Sequence, residues 1–299
     1  MRRRRPAPLP PREGLGPARL RVHGGSVIAE LRARFGSAAA AKVTDGEVVT
    51  ADGRIVDHTT VLPPGAHIFW YRDVPDEVPV PFDVPVLYHD ADLVVVDKPH
   101  FLATMPRGSH VVHTALVRMR RELGLPELSP AHRLDRLTAG VLLFTTRAEL
   151  RGPYQSLFAR GEVTKHYLAQ SSATPTGTFP RLVCSRIVKQ RGCLQAREVP
   201  GEPNAQTVIE ALGEGRYRLI PRTGRTHQLR VHLASIGLPI DGDPLYPQVL
   251  DVPADDFSQP LRLLAQRLQF ADPLTGRMRC FTSERDLVGC DSDQVRKSN

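Results

Sequence analysis

The nonapeptide HRLDRLTAG, residues 132–140, sets one carboxylate, Asp135, between two arginines, Arg133 and Arg136. Neighbouring positive charge favours the ionised form of an aspartate, and an ionised carboxylate in a cleft can act as a nucleophile or as a base. Gly140 lets the backbone turn into the apolar run from Val141 to Phe144, so the acid stands just before a strand. The same letters also fit an ordinary surface Asp–Arg pair, and the nonapeptide alone does not separate the two. It does exclude a kinase loop, which needs His-Arg-Asp in direct succession, because Leu134 intervenes and no Asp-Phe-Gly follows. The Thr223-Gly224-Arg225 stretch lacks the spaced second glycine and the lysine of a phosphate-binding Walker loop.

The elements that must position this acid are legible in outline. Apolar residues at Val27, Ile28, Leu31 and Phe35 predict a helix, with Ser26 as N-cap and Gly36 at its C-terminal end. Two β-branched runs around Ala51-Asp52-Gly53 predict a hairpin, and AHIFWYR a further strand. Together they make a small α+β module over 20–75, after a disordered basic arm at 1–19. The stretch 73–86 carries four prolines, and 76–85 reads as an extended, stiff linker. From 86 to 288 the chain reads as one larger domain. HTALVRMRRELG is an amphipathic helix, and TGRTHQLRVHLASIG is a helix with Leu229, Leu233 and Ile236 on one face, ended by Gly237. GVLLFTT, KHYLAQS, RLVCSRIVKQ, CLQAREV, QTVIEAL and YRLIPR are strand-like, and a final hairpin turns at Asp272 to Gly276. Many strands with few helices predict a mixed α+β fold around a mainly antiparallel sheet. Residues 289–299 read as a disordered tail.

Bulk properties narrow the partners. The chain has 299 residues, 41% of them hydrophobic, enough for a substantial core, and a formal charge of +8 that suits a polyanion such as nucleic acid. Four cysteines, none in a C-x-x-C pair, fit reduced cytosolic thiols, although Cys184 and Cys193 could face each other across a hairpin. The histidines are scattered, and His227 and His232, five apart, do not share a helix face, so no metal constellation is legible. No apolar stretch is long enough to span a bilayer. No heptad or obvious interface is legible, so a cytoplasmic monomer is expected.

Four blocks occur in order: VLYHDADLVVVDKPHFLATMP (86–106), HRLDRLTAG (132–140), KHYLA (165–169) and LIPRTGRTHQLRVHLASIGLPIDGDPLY (219–246). This combination resembles the RluA-type family of RNA pseudouridine synthases. The resemblance implies a catalytic domain of pseudouridine synthase type. It implies a reaction in structured RNA, ribosomal or transfer, in which the uridine N-glycosidic bond breaks, the base turns and carbon 5 rejoins the sugar. Asp135 is then the essential carboxylate, attacking base or sugar or promoting loss of the 2′ proton. Tyr167 aligns with the active-site tyrosine, suited to stacking on uracil and to proton transfer. Arg230 aligns with the basic partner of the aspartate, and Leu229 with the floor beneath the base. Arg133 resembles the residue that fills the RNA stack when the uridine is flipped out. Arg136, Arg222, Arg225 and Lys98 are expected at RNA phosphates. No cofactor and no metal is implied. Two departures stand out: Ala139 replaces the usual serine, and Leu263-Leu264-Ala265 stands where Leu-His-Ala is common, which implies altered packing. The N-terminal module resembles a diverged S4 RNA-binding domain without its usual strongly basic helix.

Two other classes compete. A catalytically silent RNA-binding protein would need none of Asp135, Tyr167 and Arg230. A glycosidic hydrolase needs a second acid, and Asp241 and Asp243, beside Gly242, read as turn residues.

Overall fold

A computed structural model describes residues 8–74, 76–108 and 110–287. The chain divides into two compact units, Met1–Asp76 and Glu77–Asn299.

In the first unit, β1 (Ala18–Arg21), β5 (His67–Trp70) and β3 (Val49–Thr50) form a three-stranded antiparallel sheet, while β2 (Gly25–Ser26) pairs with β4 (Val61–Leu62). Helix α1 (Val27–Phe35) is capped by the Ser26 hydroxyl, which accepts from the Ala29 N–H, and Gly36 closes it. A second helix, α2 (Ser37–Thr44), was not expected; its run of alanines carries helix propensity without an apolar period. Leu20, Val22, Val27, Leu31, Val43, Val48, Ile68 and Trp70 make the core. Part of the expected basic arm is ordered: Arg12 and Leu15 bridge each other, and the Arg12 guanidinium lies 3.8 Å over the Tyr71 ring. Residues 1–7 and the expected tail at 289–299 lie outside the described residues.

The second unit is built on an eleven-stranded sheet. In chain order its elements are β6 (Val86–His89), β7 (Leu93–Lys98), α3 (Ala115–Glu122), β8 (Ser129–Pro130), β9 (Ala139–Thr145), α4 (Ala148–Arg160), β10 (Thr164–Gln170), β11 (Arg181–Val188), β12 (Arg197–Val199), β13 (Ala205–Gly213), β14 (Arg216–Pro221), α5 (Gln228–Ser235), β15 (Leu263–Ala271) and β16 (Met278–Thr282). The strand order is β12-β11-β13-β14-β10-β15-β9-β7-β6, with β16 on β15 and β8 on β9. Every named pairing is antiparallel except that of β15 with β9.

Period-2 alternation in β7 and β9 creates two cores. Leu93, Val95, Val141 and Leu143 face α4 through Leu150, Tyr154 and Leu157, and Val94, Val96, Leu142 and Phe144 face α3 on the other side. Helix α4 was not foreseen: Pro153 interrupts its pattern but stands on the solvent side. The expected linker is no free spacer. Val80, Phe82 and Val84 alternate into the core of this unit, and Arg118 donates to the Phe82 carbonyl at 2.7 Å. The Glu77 carboxylate accepts from the Val111, Val112 and His113 N–H groups. Cys184, Cys193 and Cys280 are free thiols, and Cys290 lies outside the described residues. Among the described residues no helix is long and apolar enough to cross a membrane.

The parallel pairing joins Ala139 to Leu264 and Gly140 to Ala265. Gly140 has φ 109°, and a Cβ there would overlap the Ala265 carbonyl oxygen. Ala139 is fully buried against Leu264, which accounts for a small side chain at that position and an apolar one opposite it. Gly140→Ala combines a left-handed backbone with a backbone clash and is expected to cost about 2 kcal/mol or more; a urea midpoint within error of the parent protein would refute this.

Candidate active site

The loop between β8 and β9 carries Asp135. Leu134 and Leu137 sink into the core and leave Asp135 partly exposed between them. The loop is pinned from one neighbouring segment. The Thr104 hydroxyl donates to the Leu134 carbonyl at 2.8 Å and accepts from its N–H at 3.1 Å. The His100 Nδ1 meets the Leu137 carbonyl at 2.7 Å, and the Lys98 ammonium donates to the Arg136 carbonyl at 3.3 Å.

Lys98 therefore does not serve as an RNA contact. It is completely buried, and its ammonium also donates to the carbonyls of Pro99 and Leu102. The expectation of a phosphate contact fails because that charge is solvated by backbone oxygens inside the fold. Arg136 also stays off the cavity wall; burial, and then the charge of Arg230, lower its pKa.

The other expected residues converge. One cavity of about 650 Å³ is lined by Arg133, Asp135, Tyr167, Arg222, Arg225, Leu229 and Arg230. Strand β10 supplies Tyr167, α5 supplies Leu229 and Arg230, and the turn from β14 into α5 supplies Arg222 and Arg225. Arg133, Arg222 and Arg225 are exposed at the cavity. Asp135 is the single carboxylate among the described lining residues. The cations there are Arg133, Arg160, Lys165, Arg222, Arg225 and Arg230.

Arg230 departs from its expected pairing. Its Nε and Nη2 donate to the two oxygens of Asp243 at 2.8 and 2.5 Å, and both side chains are buried. No hydrogen bond or ion pair joins it to Asp135 among the described residues. Burial opposes its charge, but the hydrogen bonds and charge of Asp243, with the field of Asp135, outweigh it and hold the guanidinium above its ordinary pKa. Asp243 is thus more than a turn residue. Its Oδ1 also accepts from the Leu245 and Tyr246 N–H groups, and Asp243 is not among the residues lining the cavity, so it supplies no second acid there. Burial, and then the charge of Asp135, raise the Tyr167 pKa and keep the phenol neutral.

Three more residues were missed. His227 begins α5 with φ 57°, and its Nδ1 lies 2.9 Å from the Tyr246 hydroxyl. Burial lowers its pKa to about 4 although Asp135 pulls it upward. His132 stacks on Phe158 at 4.5 Å, and burial lowers it to about 3. Lys165 lines the cavity two residues before Tyr167. All three belong to the quoted blocks, but only the folded chain separates their roles. Among the described residues no group of three or more His, Cys, Asp or Glu side chains is arranged to hold a metal ion.

Residues 92–235 match the family model described as RNA pseudouridylate synthase. The chain is 31% identical to an uncharacterized RNA pseudouridine synthase of Synechocystis, over 69% of this chain and 72% of that one. It is 30% identical to the dual-specificity RNA pseudouridine synthase RluA of Haemophilus ducreyi, over 66% of this chain and 91% of that one. The chain belongs to the RluA-type family of RNA pseudouridine synthases. A solved pseudouridine synthase relative, human RNA pseudouridylate synthase domain containing 4, superposes with a TM-score of 0.51 at 25% identity, covering 68% of this chain and 88% of that chain. Membership of this synthase family makes the chain an isomerase and sets aside the silent RNA-binding reading.

Two outcomes follow for the site. Asp243→Asn leaves Arg230 buried with a weakened partner and is expected to cost about 3 kcal/mol or more in urea unfolding; a loss below 0.5 kcal/mol would show that the pair does not hold the helix. His100, whose pKa burial lowers to about 4, His227 and His132 are neutral in the fold, whereas the unfolded chain takes up protons near pH 6.5. The unfolded state thus binds more protons as pH falls from about 6.5 towards 4, and stability drops through that window. His100→Gln should flatten the fall in melting temperature between pH 7 and 5; an unchanged slope would exclude His100 as a contributor.

Proposed function

We propose that this protein isomerises specific uridines in structured RNA, ribosomal or transfer, with Asp135 as the essential carboxylate. The convergence of Asp135, Tyr167, Leu229 and Arg230 on one cavity carries this reading. In the reaction the N1–C1′ bond breaks, the freed uracil turns, C5 bonds to C1′, C5 loses its hydrogen to solvent and N1 takes up a proton. The uridine leaves its stack to reach the cavity, and Arg133, exposed at its edge, fills the gap. Leu229 lies under the base and the Tyr167 ring against its face. The neutral phenol can donate or relay a proton without adding a second negative charge beside Asp135. Arg230, fixed by Asp243, provides a permanent positive field for the charge that moves between Asp135 and the nucleoside. Arg222 and Arg225 meet RNA phosphates at the rim.

The unit Met1–Asp76 acts, on this proposal, as a diverged S4-like RNA-contact module. Arg19 and Arg21 alternate outward on β1, and His67 pairs with Arg21 across the sheet and accepts from Arg19 at 2.8 Å. These cations compensate for the absence of a strongly basic helix. The enzyme works as a cytoplasmic monomer and needs no cofactor.

Incubation with transfer and ribosomal RNA tritiated at uridine carbon 5 tests the chemistry. The parent protein releases tritium, and Asp135→Asn is expected to lower release at least about 1000-fold; equal release would remove Asp135 from the mechanism. Tyr167→Phe should keep RNA affinity and slow turnover, and unchanged turnover would leave the phenol only a stacking role. Arg133→Ala should impair folded RNA more than a short single strand; equal impairment would dismiss the flipping role.

A further inference from the structure

The reaction gives one buried cation no task. Lys165 and Tyr167 are two residues apart on β10, so both stand on one face of the strand, about 7 Å apart along it, and both line the cavity. Lys165 is only 9% exposed. Its ammonium donates to the Thr223 carbonyl at 3.1 Å, and no carboxylate pairs with it among the described residues. An ammonium carries three donors, so this bond leaves two for a ligand. A buried charge without a counterion is costly, and burial alone lowers the pKa of this lysine, with no acid offsetting it. Such a site gains when an anion arrives.

The neighbours suit a phosphate. The His132 Nε2 accepts from the Leu143 N–H at 3.1 Å, which leaves the proton on Nδ1. The ring is neutral, lines the cavity and is held flat by its stack on Phe158. It can therefore donate to an anion without a charge of its own. Arg222, beside Thr223, is exposed at the same wall. Arg160 contributes less, because Glu162 takes its Nε and Nη2 at 2.6 and 2.8 Å. Uracil and ribose are uncharged, so the anion that RNA brings to this wall is a phosphodiester. The spacing of about 7 Å along the strand matches the reach from a stacked base to a phosphate beside its own sugar.

We propose that Lys165, with the His132 Nδ1–H and the Arg222 guanidinium, forms a subsite for one RNA phosphodiester flanking the uridine held at Tyr167. The subsite fixes the depth to which the flipped nucleotide enters, and it rests on the uridine-isomerising reading above.

Two measurements test it, with carbon-5-tritiated transfer and ribosomal RNA as the probe. In turnover, Lys165→Met should raise KM about tenfold with kcat changed less than about twofold, and Lys165→Arg should restore most of the loss. In binding, measured on the Asp135→Asn protein, Lys165→Met should reduce the slope of log affinity against log salt by about one, and Arg222→Ala should do the same. An unchanged slope for Lys165→Met overturns the subsite whatever Arg222→Ala does, and so does a loss confined to kcat. Lys165→Gln, which keeps a donor for the Thr223 carbonyl but carries no charge, is expected to lose the same slope and keeps the test valid if Lys165→Met fails to fold. The binding arm needs no turnover, so a parent protein that binds with the expected slope but releases no tritium would reject the isomerase reading and not the subsite.

Discussion

The pairing of Arg230 with Asp243 is the constraint on which the site depends. Both side chains are buried, and two parallel hydrogen bonds fix the guanidinium in plane and direction. The pair anchors α5 to the turn that follows it, where Asp243 also receives two backbone N–H groups. Tyr246 continues the network, bonding to His227 at the start of α5 and to both backbone groups of Ala196 next to β12. Leu229 and Arg230 are thereby aimed at the cavity from a helix that cannot rotate without breaking a buried ion pair. One guanidinium thus serves two carboxylates in different ways. Asp243 occupies its hydrogen-bonding edge, and Asp135 receives its field without being bonded to it.

The carboxylate loop shows the complementary device. Two leucines hold it down, and side chains from a single segment, Lys98, His100 and Thr104, hold its carbonyls. A loop satisfied in this way has little freedom to reorganise when RNA binds, so the Asp135 carboxylate is placed in advance. The surrounding walls are strongly cationic with one negative centre. That pattern draws a polyanion inward and confines the repulsion from the one acid to short range.

Much of this was legible in the chain, for physical reasons that differ by element. Helix α1 announced itself by period and cap, and β9 by an unbroken apolar run. The four ordered blocks carried Asp135, Tyr167 and Arg230 to a family, and the fold brought them together. Helix α2 went unread because alanine has propensity but no face. Helix α4 went unread because Pro153 breaks a pattern whose buried positions, Leu150, Tyr154 and Leu157, are nevertheless spaced for a helix. The prolines of the supposed linker masked a simple alternation of Val80, Phe82 and Val84, which is a strand-like code for burial. Lys98 was misassigned because a lysine's letter does not reveal whether water or three carbonyls surround it. Asp243 was misassigned because its partner is thirteen residues away, across the end of a helix.

The one parallel pairing has a consequence for synthesis. β9 begins at Ala139, yet the strand that flanks it, β15, begins at Leu263. A chain leaving the ribosome therefore exposes its Asp135 loop long before the wall beside it has been translated. Until Leu264 and Ala265 slot against Ala139 and Gly140, the loop has no finished cleft. The Asp135 loop is thus finished only after β15, more than a hundred residues further along the chain, has joined β9.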